Sequence, residues 1–119
     1  MSAVPSELRY LREQHELLLS YEDGVRYALS AEFLRVHSPS AEVRGHGEGQ
    51  EVLQVGKESV AITAIEPVGN YGVKIRFSDG HATGIYSWDY LREMGQERET
   101  LWSDYLSKLA AKGIQRREK

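Results

Sequence analysis

The stretch FSDGHATGIYSWDYLR, from Phe77 to Arg92, decides the fold, and a partial copy of it, YEDGVRYALSAEFLR, lies from Tyr21 to Arg35. Each copy contains an aromatic residue, an Asp-Gly pair, an apolar alternating run, a serine and a short segment that ends in Leu-Arg. This order predicts a strand, a tight turn, a second strand and a short helix. The chain is therefore predicted to contain the same structural unit twice.

Turn and cap residues mark the same places in both copies. Asp23-Gly24 and Asp79-Gly80 each separate two apolar runs, and both central residues of a type I′ turn need positive φ, which Asp tolerates and Gly adopts freely. We therefore predict type I′ hairpins. Ser30 and Ser87 precede the short helical segments, where a serine hydroxyl accepts a hydrogen bond from a first-turn amide. Both serines are predicted to be helix N-caps.

The other elements follow from the spacing of apolar residues. Alternation or β-branched spacing predicts strands at Leu8–Tyr10, Leu17–Tyr21, Val52, Val55, Val60, Ile62, Ile65 and Tyr71–Phe77. A long helix is predicted between Glu97 and Lys112, because an apolar stripe at spacings of three and four crosses a charged segment. The stripe consists of Leu101, Trp102, Tyr105, Leu106 and Leu109.

These elements predict a small α+β domain. We expect one strongly twisted, mainly antiparallel sheet of about six or seven strands, with two short helices and a C-terminal helix. Residues 1–95 would form the domain proper, and residues 96–119 would add the amphipathic helix and a basic tail that pack on it or extend it. The segment from His37 to Gly49 is rich in Ser, Pro and Gly and is predicted to be a loop.

Composition excludes several classes of function. The 119 residues include no cysteine, which excludes disulfides, thiolate metal sites and cysteine nucleophiles. A formal net charge of -3 gives no electrostatic reason to expect nucleic acid or an anionic membrane as partner. The longest aliphatic run, Leu17–Leu19, is far shorter than the ~20 residues that span a bilayer, and the N-terminus has no signal-peptide pattern. We expect a cytoplasmic protein.

Three histidines offer a candidate metal site. His37, His46 and His81, with Glu42 or Asp79, provide the imidazole and carboxylate ligands that suit zinc or iron. No two of these histidines have the spacing of ligands on one helix face. The alternative is that they are exposed or hydrogen-bonding loop histidines, and the sequence leaves both interpretations open.

Other residue types give weaker signals of chemistry. Tyr86, Trp88 and Tyr90 could form a stacking surface for a base or a cation, or they could belong to the core and rim of a small β-rich domain. Ser38 and Ser40 lie near a histidine, but sequence neighbours rarely form a catalytic triad and there is no Gly-x-Ser-x-Gly elbow. The sequence therefore favours a non-enzymatic protein.

Three stretches resemble a known protein family. They are LRVHSPSAEVRGHG from Leu34 to Gly47, EPVGNY from Glu66 to Tyr71, and the residues from Phe77 to Leu91. Through them, residues 8 to 95 resemble a bacterial member of the gamma-butyrobetaine hydroxylase-like N-terminal domain family. The helix that follows Glu97 lies outside the resemblance.

The resemblance implies a zinc position that this chain has largely lost. In the hydroxylases, the domain precedes an iron and 2-oxoglutarate dioxygenase domain and holds a structural zinc with three cysteines and a histidine. The cysteines fall on Ser38, Ser40 and Val43 of this chain, and the histidine falls on His81. We therefore expect this loop to keep its shape by hydrogen bonds, with Pro39 and the serine hydroxyls in place of the metal.

The resemblance also shapes the expected function. The 119 residues hold no dioxygenase domain, so no hydroxylation is implied. Similar domains attached to P-loop ATPases that act as iron–sulfur scaffolds imply an adaptor role in iron or iron–sulfur handling. We expect a non-enzymatic module that binds a protein partner as a monomer or weak dimer; the alternative is an iron- or zinc-binding protein that uses the histidine site above. The expected binding surface comprises His37, Ser38, Ser40, Glu42, Arg44, His46, His81, Tyr86 and Trp88.

Overall fold

The computed structural model describes residues 4–45 and 52–116 of the chain. Its strands are β1 (Glu7–Leu11), β2 (Glu16–Ser20), β3 (Arg26–Ser30), β4 (Ile62–Val68), β5 (Gly72–Phe77) and β6 (Ile85–Ser87). Its helices are α1 (Ala31–Val36), α2 (Ala41–Arg44), α3 (Trp88–Gln96) and α4 (Arg98–Ala111). Within these ranges, no helix has the length and apolar character needed to cross a membrane.

The strands form two antiparallel sheets, ordered β1-β2-β3 and β4-β5-β6. The α+β class is confirmed, but the strands do not join into the single sheet that the sequence led us to expect. Each sheet is a meander that ends in a capped helix, α1 or α3, and this helix carries the chain away from the sheet. The strand predicted around Val52 and Val55 does not form: residues 52–55 pair with no strand, and β4 begins only at Ile62.

Both hairpins use the same turn, which differs from the predicted type I′. In each, the glycine N–H donates to the carbonyl three residues earlier at 3.0 Å. Only the glycines have positive φ, 88° at Gly24 and 91° at Gly80, which indicates a type I turn followed by a left-handed glycine. The aspartate carboxylate accepts a hydrogen bond from the N–H two residues later, at 3.1 Å for Asp23 and 3.2 Å for Asp79. This bond holds each aspartate inside the turn.

The predicted N-caps are confirmed in both copies. The Ser30 hydroxyl accepts a hydrogen bond from the Phe33 N–H at 3.0 Å, and the Ser87 hydroxyl accepts one from the Tyr90 N–H at 3.0 Å. A third serine, Ser40, caps α2, and its hydroxyl accepts from the N–H of Glu42, two residues later, at 3.2 Å. The segment predicted as a loop therefore contains a short helix.

The two copies bind each other reciprocally. Arg35 ends the first copy, and its Nε lies 2.9 Å from Oδ2 of Asp79 in the second hairpin. Arg92 ends the second copy and lies 3.0 Å from Oδ2 of Asp23 in the first hairpin. The repeated unit is therefore real, and each unit holds the turn of the other.

The core lies between the inward faces of the two sheets and their helices. Its fully buried members are Leu17, Leu19, Leu29, Leu34, Ile75, Tyr86, Leu91 and Met94. Gly95 allows α3 to approach the first unit, because a Cβ there would lie 2.4 Å from the Tyr27 ring. Hydrophobic burial of this kind is the main stabilising contribution in a domain of this size.

Helix α4 packs on the first unit. Tyr105 and Leu109 are buried against Val36, and Trp102 packs against Phe33 with ring centroids 6.3 Å apart. Leu106 is 39% exposed, so the predicted stripe is wider than the buried face. The chain then turns back, and Arg116 forms two hydrogen bonds with the buried Glu32 of α1.

Candidate functional site

The loop after α1 packs Ser38 against His81. Ser38 Oγ lies 2.8 Å from Nε2 of His81, and the N–H of Ser40 donates to the same Oγ at 3.3 Å. Ser38 has no exposed surface, and a Cβ on Gly84 would lie 2.3 Å from its Oγ. Because residue 84 is a glycine, the loop can lie directly on the second hairpin.

Glu42 and Thr83 extend this contact into a cluster. Ser40 Oγ lies 2.6 Å from Thr83 Oγ1, which donates to Glu42 Oε2 at 3.3 Å. The same Glu42 oxygen lies 3.5 Å from Nδ1 of His81. We call Ser38, Ser40, Glu42, His81 and Thr83 the serine–histidine cluster. Thr83 was not among the predicted site residues, although its position two residues after His81 on one hairpin could have indicated it.

His81 is held in its neutral form. Burial lowers the pKa of His81, and Arg35 lowers it further, whereas Glu42 and Asp79 act in the opposite direction. A neutral imidazole carries one N–H. With Nδ1–H facing Glu42, Nε2 accepts a hydrogen bond from the Ser38 hydroxyl. The ring therefore joins the loop to the hairpin without a charge of its own.

Asp79 lies between two cations beside the cluster. Its Oδ2 is 2.9 Å from Arg35 Nε and 2.6 Å from Lys57 Nζ. Burial acts to raise the pKa of Asp79, but the hydrogen bonds from Lys57, from the His81 N–H and from Arg35 outweigh it and lower the pKa to about 2. This carboxylate therefore keeps its charge and fixes the hairpin against α1.

The order Ser38, His81, Glu42 resembles the contacts of a hydrolytic triad, but the surroundings do not suit that chemistry. A nucleophilic hydroxyl must meet its substrate, and Ser38 has no exposed surface. Its Oγ also accepts from the Ser40 N–H. An acyl group cannot reach this oxygen, so the cluster gives no support to an enzymatic role.

His37 faces a different part of the molecule. Its Nδ1 lies 2.9 Å from the carbonyl oxygen of Phe33, and its ring lies 4.6 Å from the Phe33 ring and 6.2 Å from the Tyr105 ring, measured between centroids. Burial lowers its pKa. Among residues 4–45 and 52–116, no group of three or more His, Asp or Glu side chains is placed to hold a metal ion. His46, the remaining predicted ligand, lies outside the described residues.

A groove of about 800 Å³ lies beside His37. Its walls come from the ends of α1 and α3, from α2, from α4 and from the extended residues 52–54. The apolar lining consists of Val36, Val43, Val52, Leu53, Met94 and Leu101. Two tyrosines brace the walls: Tyr90 donates to the carbonyl of His37 at 2.6 Å, and Tyr105 donates to the carbonyl of Gln54 at 2.7 Å.

Four charged side chains also line the groove: Arg44, Glu93, Asp104 and Lys108. All four are exposed, and none forms an ion pair with another described residue. Arg44 lies over the Tyr90 ring, 4.9 Å from its centroid. Burial raises the pKa of Tyr105 to about 12, with Glu32 and Glu58 contributing, so its hydroxyl stays a donor. The groove therefore combines an apolar floor with exposed charges of both signs.

Comparisons with known proteins agree with this fold. Residues 8–92 match the family described as gamma-butyrobetaine hydroxylase-like, N-terminal. The chain belongs to this family. The gamma-butyrobetaine hydroxylase-like match ends before α4, which begins at residue 98. No curated protein matches the chain.

Solved structures of similar proteins cover nearly the whole chain. One structure determined by NMR in solution is 46% identical, covers 98% of this chain and 93% of its own, and has a TM-score of 0.82. A crystal structure from Acidithiobacillus ferrooxidans, of a protein with unknown function in the DUF971 family, is 36% identical. It covers 78% of this chain and 93% of its own, with a TM-score of 0.66. These similarities support the fold and assign no activity.

The residues at the implied zinc position do not fit a metal ion. Ser38 and Ser40 lie next to His81 as the resemblance implies, but Val43 has no ligand atom and is buried. The direct contact of 2.8 Å between Ser38 and His81 leaves no space for an ion between them. In this member of the gamma-butyrobetaine hydroxylase-like family, hydrogen bonds occupy that position.

The predicted binding surface is divided by the fold. Arg44 and His37 line the groove and Ser38 borders it, but Ser38, Ser40 and His81 are buried in the serine–histidine cluster. Tyr86 is fully buried, and Trp88 donates its Nε1–H to the carbonyl of Asn70. Tyr86 therefore cannot present a stacking face, because its ring fills the core and its hydroxyl bonds to the Leu34 carbonyl. Asp104, Tyr105 and Lys108 line the groove and were not among the predicted site residues, whereas Tyr90, also in the lining, belonged to the predicted aromatic cluster.

Proposed function

We propose that the protein is a non-enzymatic interaction module that binds a protein partner in the groove between α2 and α4. The observation that carries this proposal is an apolar floor surrounded by four exposed charged side chains that form no ion pair with another described residue. A partner that carries apolar and charged side chains would bury this floor and pair these charges, whereas a small apolar ligand would leave the charges unpaired.

The serine–histidine cluster has a supporting role in this proposal. It fixes the loop that carries Arg44 and His37 onto the second hairpin through the contact of Ser38 with His81. A wall that is already fixed reduces the entropy lost on binding. The hypothesis of a cytoplasmic adaptor in iron or iron–sulfur handling comes from the resemblance, and the identities of bound partners would test it.

Charge reversal inside and outside the groove tests the proposal. Lys108 lines the groove, and Lys112 is an exposed lysine just beyond the end of the same helix and outside the groove. We would capture proteins from a lysate of the source organism with wild type, Lys108→Glu and Lys112→Glu. The proposal expects at least one partner that wild type and Lys112→Glu retain and Lys108→Glu loses. Identical partner sets for all three would contradict it.

A further inference from the structure

Residues Val52–Val55 form an extended segment beside the groove, with no helix, turn or bend. One edge of this segment is bound to the protein. The N–H of Val52 donates to the carbonyl of Val43 at 2.8 Å, and the carbonyl of Gln54 accepts from the Tyr105 hydroxyl at 2.7 Å. In an extended chain, backbone groups of alternate residues point to opposite sides. Residues 52 and 54 therefore face inward, and residues 53 and 55 face away from α2 and α4.

The outward edge of the segment carries no hydrogen bonds. The N–H and carbonyl groups of Leu53 and Val55 have no partner within the part of the chain that the structure describes. Their spacing, at alternate residues, is that of an antiparallel or parallel ladder. The side chains of Val52 and Val55 are 53% and 44% exposed. The segment therefore has the backbone and the apolar side chains of an edge strand whose outer side meets no neighbouring strand among residues 4–45 and 52–116.

The other strand edges in the described ranges are protected. Strand β1 carries exposed Glu7 and Arg9, and β4 carries exposed Glu66 and Pro67. The carbonyl of Ala28 in β3 accepts a hydrogen bond at 2.8 Å from Arg98, and β6 has only three residues. Charges, proline, covering side chains and short length are the usual means of preventing strand addition.

The segment Val52–Val55 is also short, but its sequence, Val-Leu-Gln-Val, contains no charged residue and no proline. We propose that it accepts an extended segment of a protein partner as an added strand. This inference rests on the proposed function, because Val52, Leu53 and Gln54 also line the groove and a strand added here can continue into it. The occupant is an extended peptide with alternating apolar residues and charged residues of both signs.

A second copy of the chain fits this edge less well. Two folded domains that met along four residues would bury far less than the roughly 1,200 Å² of a stable interface. A peptide can follow the edge and then enter the neighbouring groove, where it adds apolar contacts and pairs the free charges. Backbone hydrogen bonds and alternate side-chain contacts are the general basis of strand addition.

Proline substitutions at two adjacent residues test the outward and inward edges of the segment independently. Val55→Pro removes an N–H from the outward edge, whereas Gln54→Pro removes one from the inward edge, and the structure gives neither N–H a partner. The probe is an equimolar pool of capped hexapeptides with valine or threonine at alternate positions and lysine or glutamate at the others. Amide chemical shifts would be recorded during titration of wild type, both proline variants and Lys108→Glu, with the free spectrum confirming that each variant is folded.

We expect the pool to shift the amide signals of Leu53 and Val55, and Val55→Pro to bind roughly fivefold more weakly, as expected for one lost backbone hydrogen bond. Gln54→Pro, which keeps the outward N–H groups, should bind more tightly than Val55→Pro, although Gln54 also lines the groove. Equal binding by both proline variants, with weaker binding by Lys108→Glu, would overturn strand addition and leave the groove as the binding site. If the amide signals of Leu53 and Val55 do not shift when the peptide pool is added, strand addition is overturned. If these signals shift when the protein is diluted in the absence of peptide, the edge instead binds a second copy of the chain.

Discussion

The two repeated units share their turns and caps but differ in what surrounds the turn aspartate. Asp79 contacts a buried arginine, Arg35, whose side chain is 8% exposed, and a second cation, Lys57. Asp23 contacts the more exposed Arg92, whose side chain is 20% exposed, and Asp23 itself is 37% exposed. The same sequence motif therefore makes a partly buried contact in one unit and a more exposed contact in the other. The difference arises because the loop and α2 cover the second hairpin.

Removal of each arginine should show this difference with the largest effect. We expect Arg35→Ala to lower the free energy of unfolding by about 3 kcal/mol, because it removes both a charge-assisted hydrogen bond to Asp79 and the packing of a buried side chain, although Asp79 keeps Lys57 as a partner. The matched variant Arg92→Ala should lower it much less, because solvent screens the exposed pair. Urea unfolding of both variants measures the difference. Equal losses would show that the two contacts are equivalent.

Replacement of His81 by valine, the residue at the matching position of the first hairpin, should have the next largest effect on the free energy of unfolding. Val25 occupies the position in the first unit that His81 occupies in the second. We expect His81→Val to lower the free energy of unfolding by about 2 kcal/mol, because the buried Ser38 hydroxyl loses its partner. The double variant Ser38→Ala/His81→Val should recover part of this loss. A double variant whose loss equals the sum of the two single losses would argue against a coupled contact.

Alanine at the turn glycines should affect both units equally. Gly24 and Gly80 have positive φ, and a Cβ added to either would have no other residue's atom within 4 Å, so the backbone conformation alone opposes the substitution. We expect Gly24→Ala and Gly80→Ala each to lower the free energy of unfolding by about 1 kcal/mol. Thermal or urea unfolding provides the measurement. A clear difference between the variants would show that the turns are not equivalent in energy.

Local signals predicted the repeated unit, and long-range contacts explain what they missed. Ser30 and Ser87 are caps because a hydroxyl acts on amides three residues away, which the sequence displays directly. The division into two sheets depends on which strands pair, and no local pattern encodes that choice. The burial of Tyr86 and the orientation of His37 toward α4 likewise depend on elements far away in the chain.

The type I′ prediction failed for a related reason. An Asp-Gly pair is compatible with two hairpin turns, and the carboxylate hydrogen bond to the N–H two residues later selects between them. The candidate site shows the same limit. Resemblance placed Ser38 and Ser40 beside His81, but the groove residues Tyr105 and Lys108 come from α4, outside the matched residues 8–92. Only the packed structure brings them to the loop.

The smallest expected effect is on the pH dependence of stability, and it distinguishes the two hairpins through a single residue. The pKa of His81 in the folded protein is lowered below 6.5, so the unfolded chain takes up a proton first as the pH falls. The contribution of His81 to the free energy of unfolding is therefore fully present above pH 6.5. It declines as the pH falls from there toward the pKa of His81 in the folded protein. Asp79, with a pKa of about 2, stays charged across this range and adds no change to it.

Urea unfolding at several pH values between about 8 and 5 would measure the decline. We expect His81→Val to weaken it without abolishing it, because burial also lowers the pKa of His37 and that contribution persists. The reverse exchange, Val25→His, should leave the decline unchanged, because the first hairpin has no loop packed on it to bury the new ring. An unchanged decline in His81→Val would mean that the cluster does not hold this histidine neutral, and the coupling of loop and hairpin would then rest on Arg35 and Asp79.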